Sequence, residues 1–238
     1  MSKNSENKDY EPRATSSRVS YALIAVGVVV VALVVGGILW QSNKSYPPVD
    51  DKVLAENASF IVGDRTAPET IDVFEDFHCP HCKEFEAKSG AAIQAAVVAG
   101  KVRVRYHLLN FLDKESDSGD FSSRGAGAVL CVARNDNRDV FWKLHSQLFA
   151  KSGDDPSNAD IAELARAAGA SPATVTCIAD GKLVDEARSM ADASSGQLEN
   201  STKGSVVTPT VLSAGTVVDG ITDGPGWLDD VIANPPKS

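Results

Sequence analysis

Residues Val19 to Trp40 carry no charged side chain and are built mostly from Val, Ala, Leu, Ile and Gly. A helix rises about 1.5 Å per residue, so about 20 such residues match a hydrocarbon core about 30 Å thick. The run divides the chain, and a globular domain must lie after it. It is longer than the roughly 7–15 apolar residues of a cleavable signal peptide. It ends in Gly36-Gly37-Ile38-Leu39-Trp40 without a convincing A-x-A site, and no cysteine follows closely enough for a lipoprotein anchor. We read 19–40 as an uncleaved transmembrane anchor, with a signal peptide as the alternative. Lys3, Lys8, Arg13 and Arg18 precede it, against only Lys44 and Lys52 behind. That bias predicts a single-pass protein of the cell membrane, N-terminus cytoplasmic and C-terminal domain extracytoplasmic.

Around the anchor, residues 1–18 read as a polar cytoplasmic tail and 41–57, with Pro47-Pro48, as a linker. Residues 58–238 have globular composition and suffice for one good core. With 32 Asp/Glu against 23 Lys/Arg, the formal net charge is −9. Such a surface lacks the basic footprint that nucleic acid requires. No segment is dedicated to dimerisation, and a monomer is expected.

The globular part begins with strands at Ser59–Val62 and Thr70–Phe77, a helix at Lys83–Val98 closed by Gly100, and a strand at Val102–Leu109. In the last of these, Val102, Val104 and Tyr106 alternate against Arg103, Arg105 and His107. Helices follow at Phe121–Arg134, Arg138–Lys151, from a Ser157/Asn158 cap to Ala168, from Ser171-Pro172 to Gly181, and at Leu183–Leu198. Phe141, Trp142 and Phe149, at helical spacing, read as core. Strands resume at Ser205–Leu212 and Thr216–Asp219 around an Ala214-Gly215 turn, and 225–233 reads as a terminal helix. The order implies an α/β core with a helical block at about 113–200.

Four cysteines, Cys79, Cys82, Cys131 and Cys177, all follow the apolar run. Disulfides persist outside the cytosol, and three pairings are possible; the local pair 79/82 leaves 131/177 as the second bridge. A bridge closing those 46 residues is worth about 4 kcal/mol in the chain-entropy model, and we take it as structural; the rival is a second redox pair.

Cys79-Pro80-His81-Cys82 runs directly from a strand into a helix. The first sulfur then meets the unpaired N–H groups and the positive end of the helix dipole. Such a setting lowers a cysteine pKa from about 8.5 towards roughly 3.5–7.5. Pro80 suits an early helical position, where the N–H it lacks has no partner. His81 is expected to add a donor or a cation near the Cys79 sulfur. A stabilised thiolate makes the disulfide a stronger oxidant, so Cys79 is the expected attacking cysteine and Cys82 the resolving one. The alternative, half of a zinc site, needs two further ligands, usually a close pair; His78, His107 and His145 are scattered and Cys131 and Cys177 are far apart. A purely structural 79/82 bridge would close too short a loop to matter.

With this centre and a late Val207-Thr208-Pro209-Thr210, residues 58–238 resemble the DsbA-like branch of the thioredoxin superfamily. The resemblance implies a thioredoxin-like fold with a helical insertion at about 113–200, preceded here by one transmembrane helix. It implies that Pro209 follows a cis peptide bond and lies against Cys79, with Thr208 facing the dithiol. It implies an oxidase acting on unfolded exported polypeptides and reoxidised by a DsbB- or VKOR-like membrane partner, with no cofactor or metal of its own. A reductase or isomerase of the same fold, or a metal-binding or chaperone-like module using the same thiols, are the alternatives. In one respect the chain departs from the family: the buried acid often found six residues before the first cysteine is replaced by Val73. Asp72, Glu75 and Asp76 lie close by, but no catalytic acid is assigned. His78 is expected to flank the centre without a chemical role, and His107 and His145 to be surface or packing residues.

Overall fold

In a computed structural model, residues 17–42 and 45–234 are described, and the chain divides into two units, Met1–Ser45 and Tyr46–Ser238. Among its described residues the first holds α1 (Ser17–Ser42), with side chains described from Tyr21 to Gly37, all exposed. Among the described residues no helix is long and apolar enough to cross a membrane. The expected anchor, 19–40, extends past the described side chains at both ends, and the expected tail, 1–18, lies outside them.

The second unit contains α2 (Asp51–Asn57), β1 (Phe60–Val62), β2 (Glu69–Glu75), α3 (Pro80–Val98) and β3 (Val102–Leu108). A 3-10 turn at Asp113–Glu115 leads into α4 (Phe121–Asn135), α5 (Arg138–Ala150), α6 (Asn158–Ala168), α7 (Pro172–Ala179) and α8 (Val184–Thr202). Then come β4 (Thr210–Ser213), β5 (Thr216–Val217) and α9 (Gly226–Ala233). The strands form one sheet in the order β1-β3-β2-β4-β5. β2 and β3 are parallel, and the other three pairings are antiparallel. A parallel pair needs a crossover, which α3 supplies. This is a thioredoxin-like α/β fold with a helical insertion, α4 to α8, between β3 and β4.

Local chemistry sets several boundaries as the sequence implies. Ser157 and Asp160 form a capping box at the start of α6, and Gly169 closes it in the left-handed region at φ +95°. Ser171 caps α7, with Pro172 in its first turn. Cys131 of α4 and Cys177 of α7 are joined, Cα to Cα 5.9 Å, and both are buried.

Three expectations need correction. Residues 41–57 are not linker throughout, because α2 packs on the domain. Asp50 caps it, Leu54 is buried with Phe74, Leu109, Leu198 and Leu212, and Asp51 reaches Arg105 at 2.8 Å. The strand expected at Ser205–Leu212 starts only at Thr210, because α8 runs on to Thr202 and its exit uses the next residues. There Ser205 N–H donates to the Thr202 hydroxyl, and Gly204 turns at φ +110°, where a Cβ would strike the Tyr46 side chain. Thirdly, β3 does not present Arg105 and His107 to water. Both are buried, since α2 and α8 cover that face. Arg105 forks onto Asp72 with both distances 2.7 Å, and His107 bridges Asp72 at 2.8 Å and the Ser194 hydroxyl at 2.9 Å. A strand covered on both faces loses its alternation, and buried charge is tolerated there because it is paired. His145, expected at the surface or in packing, is buried and packs against Phe77, Tyr106, Phe141 and Phe149; its polar partners belong to the site below.

Truncating a buried leucine costs about 2–5 kcal/mol. Leu54→Ala should therefore lower the melting temperature of the 46–238 domain, by about 2–4 °C per kcal/mol lost. A melt unchanged by this substitution would return residues 51–57 to the role of linker.

Candidate active site

The site begins where β2 stops. After Glu75 the chain turns through Asp76, Phe77 and His78 to Cys79, which stands at the N-cap of α3 without a side-chain capping bond. Asp76 is the peg of this turn. Its carboxylate accepts from the backbone N–H of His78 at 2.9 Å and of Leu112 at 3.1 Å, and from the Ser122 hydroxyl. Its carbonyl accepts from Cys79 N–H at 3.0 Å. Burial outweighs these bonds and pushes Asp76 up to about 6. Gly125 of α4 leaves room for the Phe77 ring, which lies 2.6 Å from where a Cβ would stand.

Cys79 is only 6% exposed and Cys82 is wholly buried; both are free thiols. Pro80 opens α3, as its missing N–H allows. The Thr208–Pro209 peptide bond is cis, and the Thr208 carbonyl lies 3.4 Å from Cys79 Sγ, accepting its proton when the thiol is neutral. The structure thus brings together Cys79, Pro80, Cys82, Thr208 and Pro209 from opposite ends of the sequence.

The two thiols are driven apart in acidity. The Cys82 thiol, as hydrogen-bond donor, is the strongest influence on Cys79; burial opposes it, and the N–H groups of Cys82 and His81 reinforce it. Together they lower Cys79 to about 5 from the ordinary value of 9.0. Cys82 moves far upward, first by burial and then through its bond to Cys79 and the charge of Glu75. A low-pKa outer sulfur and a high-pKa inner one is the division of labour that disulfide exchange needs. His81 contributes otherwise than expected. Its imidazole is exposed, 3.8 Å from Glu84, and it acts on Cys79 through its backbone N–H. The His78 ring meets Phe121 edge-on, with centroids 6.2 Å apart, and its buried Nδ1 has no partner.

The chain matches the family described as Thioredoxin over residues 55–227. The chain belongs to the thioredoxin family. Within the thioredoxin family its architecture is similar to MdbA, a thiol–disulfide oxidoreductase from Corynebacterium matruchotii, with a TM-score of 0.65 and 26% identity, covering 74% of this chain and 96% of that one. Oxidised DsbA of Mycobacterium tuberculosis is similar with a TM-score of 0.57 and 28% identity, covering 74% of this chain and 98% of that one. In sequence the chain is 33% identical over 183 residues to the serine/threonine-protein kinase PknE of Mycobacterium tuberculosis. That match covers 74% of this chain but only 32% of PknE, so the chain spans about a third of the length of that relative. The domain is a DsbA-like thiol–disulfide oxidoreductase domain.

One part of the site was not assigned from sequence. Val73 is buried apolar core, but Glu75, two residues on, shares its face of β2. Glu75 is wholly buried, with Oε2 at 2.9 Å from His145 Nε2. His145 Nδ1 in turn lies 3.5 Å from Glu86 of α3. Burial, then the neighbouring Glu86 carboxylate, push Glu75 up to about 7 against the pull of His145. Burial pulls His145 down, but the two carboxylates outweigh it and hold the ring at about 10. Among the described residues this trio has the composition of a metal site, with ligand atoms within 4.8 Å of one another. The imidazole itself stands between the two carboxylates, so the imidazolium fills the place of a cation. The signal in the sequence was the period of two from Val73 to Glu75.

Alkylation of the reduced domain should give Cys79 a midpoint near pH 5, with Cys82 protected until unfolding. Because the folded value lies below the ordinary 9.0, the thiolate adds stability to the reduced form that is full above pH 9 and lost as pH falls through 5. The melting advantage of reduced over oxidised protein should therefore shrink as pH falls from 9 towards 5. An advantage constant over that range would contradict the assignment.

Proposed function

We propose that this chain is a membrane-anchored, extracytoplasmic oxidase that introduces disulfide bonds into exported polypeptides through Cys79 and Cys82. One observation carries the direction of reaction: Cys79 stands at the N-cap of α3, where the Cys82 thiol and the first N–H groups of the helix favour its anion and lower it to about 5. Stabilising the reduced thiolate weakens the disulfide and makes it a donor.

In the forward reaction a client thiolate attacks Cys79 Sγ. The Cys79–Cys82 bond breaks as the mixed disulfide forms, and Cys82 leaves and takes up a proton. A second client thiolate then attacks the client sulfur of the mixed disulfide. The client disulfide forms, and Cys79 leaves as the thiolate its surroundings prefer. The client loses two electrons and the dithiol gains them. Regeneration falls to a quinone-linked membrane partner of the DsbB or VKOR-like kind.

Clients would reach Cys79 as unfolded chains. Phe111 and Val207, 44% and 55% exposed, offer apolar surface on the two loops that border the dithiol, and the backbone before Pro209 offers pairing groups. The uncharged run Val19–Trp40 would hold the protein in the cell membrane with its N-terminus inside, and the domain would act as a monomer.

Cys82→Ser removes the resolving thiol and should leave Cys79 bound to clients as mixed disulfides in cells, separable by reducing agent. The wild-type chain, oxidised beforehand, should form the disulfide of a dithiol peptide in stoichiometric amount. A Cys82→Ser chain that captures nothing, with a wild-type chain that only reduces disulfides, would reverse the proposed direction.

A further inference from the structure

We infer that Asp76 is a positioning residue for polypeptide clients: its carboxylate pins the Phe111 loop and the first turn of α4 to the Cys79 turn. Phe111, held in this way, selects clients that carry an apolar side chain beside the reacting cysteine. The inference rests on the proposed exchange between Cys79 and polypeptide clients, and it adds no step to that exchange.

The parallel strands β2 and β3 end side by side, and Leu109 N–H still donates to the Glu75 carbonyl at 2.7 Å. Beyond that point neither segment continues as a strand, and one carboxylate takes over from the ladder. Asp76 Oδ1 accepts from His78 N–H at 2.9 Å and from the Ser122 hydroxyl. Its Oδ2 accepts from Leu112 N–H at 3.1 Å. The three donors belong to three separate segments: the Cys79 turn, the loop after β3, and α4. The Asp76 carbonyl completes the connection, accepting from Cys79 N–H at 3.0 Å. Two hydrogen bonds through one residue thus join the Phe111–Leu112 loop to the backbone of Cys79.

These bonds cannot be exchanged for water. Asp76, Ser122 and Ser123 are wholly buried, and a donor left unpaired at that depth is costly, so the carboxylate fixes all three segments at once. The start of α4 depends on the arrangement as well. Its N-cap residue, Asp120, makes no side-chain capping bond, and two remote carboxylates serve the first turn instead. Asp113 accepts from Ser123 N–H at 2.9 Å and from its hydroxyl at 2.5 Å, and Asp76 accepts from the Ser122 hydroxyl beside it. Negative charge is favoured at a helix N-terminus, which offsets part of the burial that pushes Asp76 up. Asparagine would keep the shape but offers only one acceptor oxygen. Its amide would then face either Leu112 N–H or the donors from His78 and Ser122, and one arm would be lost.

Within the loop so held, Phe111 is the apolar side chain left in water. Leu109 is wholly buried and Leu112 packs against the main core, whereas Phe111 is 44% exposed. An aromatic ring on a loop that is already ordered gives a preformed contact, because the cost of immobilising it is not charged to binding. The occupant is the client chain itself. Its cysteine is joined to Cys79 in the mixed disulfide, which carries the residues next to that cysteine into reach of the loop. A small dithiol such as dithiothreitol has no such neighbours and gains nothing from Phe111. The loop therefore separates polypeptide thiols from small ones, and Asp76 is what keeps it in register with the sulfur.

The test compares two substrates of the oxidised full chain in single turnover: a dithiol peptide with leucine beside each cysteine, and dithiothreitol. Asp76→Asn should slow transfer to the peptide about tenfold, the low end for one lost apolar contact, and change transfer to dithiothreitol by less than about twofold. Phe111→Ala should show the same pattern. The double variant should be no slower than either single one, because Asp76 acts on clients through the loop; independent effects would multiply. A merely structural role for Asp76 would slow both substrates alike. Should Asp76→Asn fail to fold, amide exchange in the wild-type chain decides: Leu112 N–H should exchange at least about tenfold more slowly than Phe111 N–H, and equal rates overturn the inference. Equal slowing of both substrates, multiplying effects in the double variant, or a wild-type peptide rate in either single variant overturns it and leaves the oxidase reading intact. An oxidised wild-type chain that transfers to neither substrate overturns both.

Discussion

A sulfur anion at the first turn of α3 is what the rest of the domain is arranged around. The helix supplies N–H groups that have no partners of their own, and β2 aims the chain so that Cys79 stands in front of them. Cys82, one turn further in, contributes its S–H to the same sulfur and is itself left in apolar surroundings. Neither thiol's acidity is a property of that residue alone. The difference between them exists because one stands at the mouth of the helix and the other beneath it.

The sheet supports this arrangement with two buried charge networks that both start from β2. Asp72 of β2 holds Arg105 and His107 of β3 and, through Arg105, the start of α2. That network closes a face of the sheet that would otherwise need water. Glu75, three residues on, faces the opposite side, where α3 and α5 lie. There it meets one imidazole and one further carboxylate, and one of its oxygens remains without a partner. Asp76, next in the chain, turns the strand into the helix and ties the loop at Leu112 to the dithiol. Three consecutive acidic positions of one short segment, Asp72, Glu75 and Asp76, thus have three separate physical roles set by the direction in which each side chain points.

Much of this was legible in the sequence. An apolar strand running into Cys79-Pro80-His81-Cys82 marks both the end of β2 and the start of α3, because proline and an N-terminal thiol each favour that position. Serine caps and Gly169 fixed α6 and α7 of the insertion, since a cap is a local matter of one side chain and one backbone bond. The remainder depends on what covers what. Arg105 and His107 look solvent-facing until α2 and α8 are seen to lie over them, and α2 is hidden because a single buried leucine in a charged segment after Pro47-Pro48 carries no periodic signal. The His145 ring looked like packing because its partners, Glu75 and Glu86, come from distant segments of the chain. The His81 side chain was credited with an effect that belongs to its backbone N–H, a distinction that composition cannot make.

If the Cys79 thiolate is held as firmly as its surroundings imply, the dithiol must be a stronger oxidant than an ordinary member of the thioredoxin family. The reduction potential of the Cys79–Cys82 pair, measured by equilibration with glutathione at pH 7, tests this most directly. The account predicts a value well above the roughly −270 mV of thioredoxin, towards the roughly −120 mV of DsbA. A value at or below that of thioredoxin would contradict it.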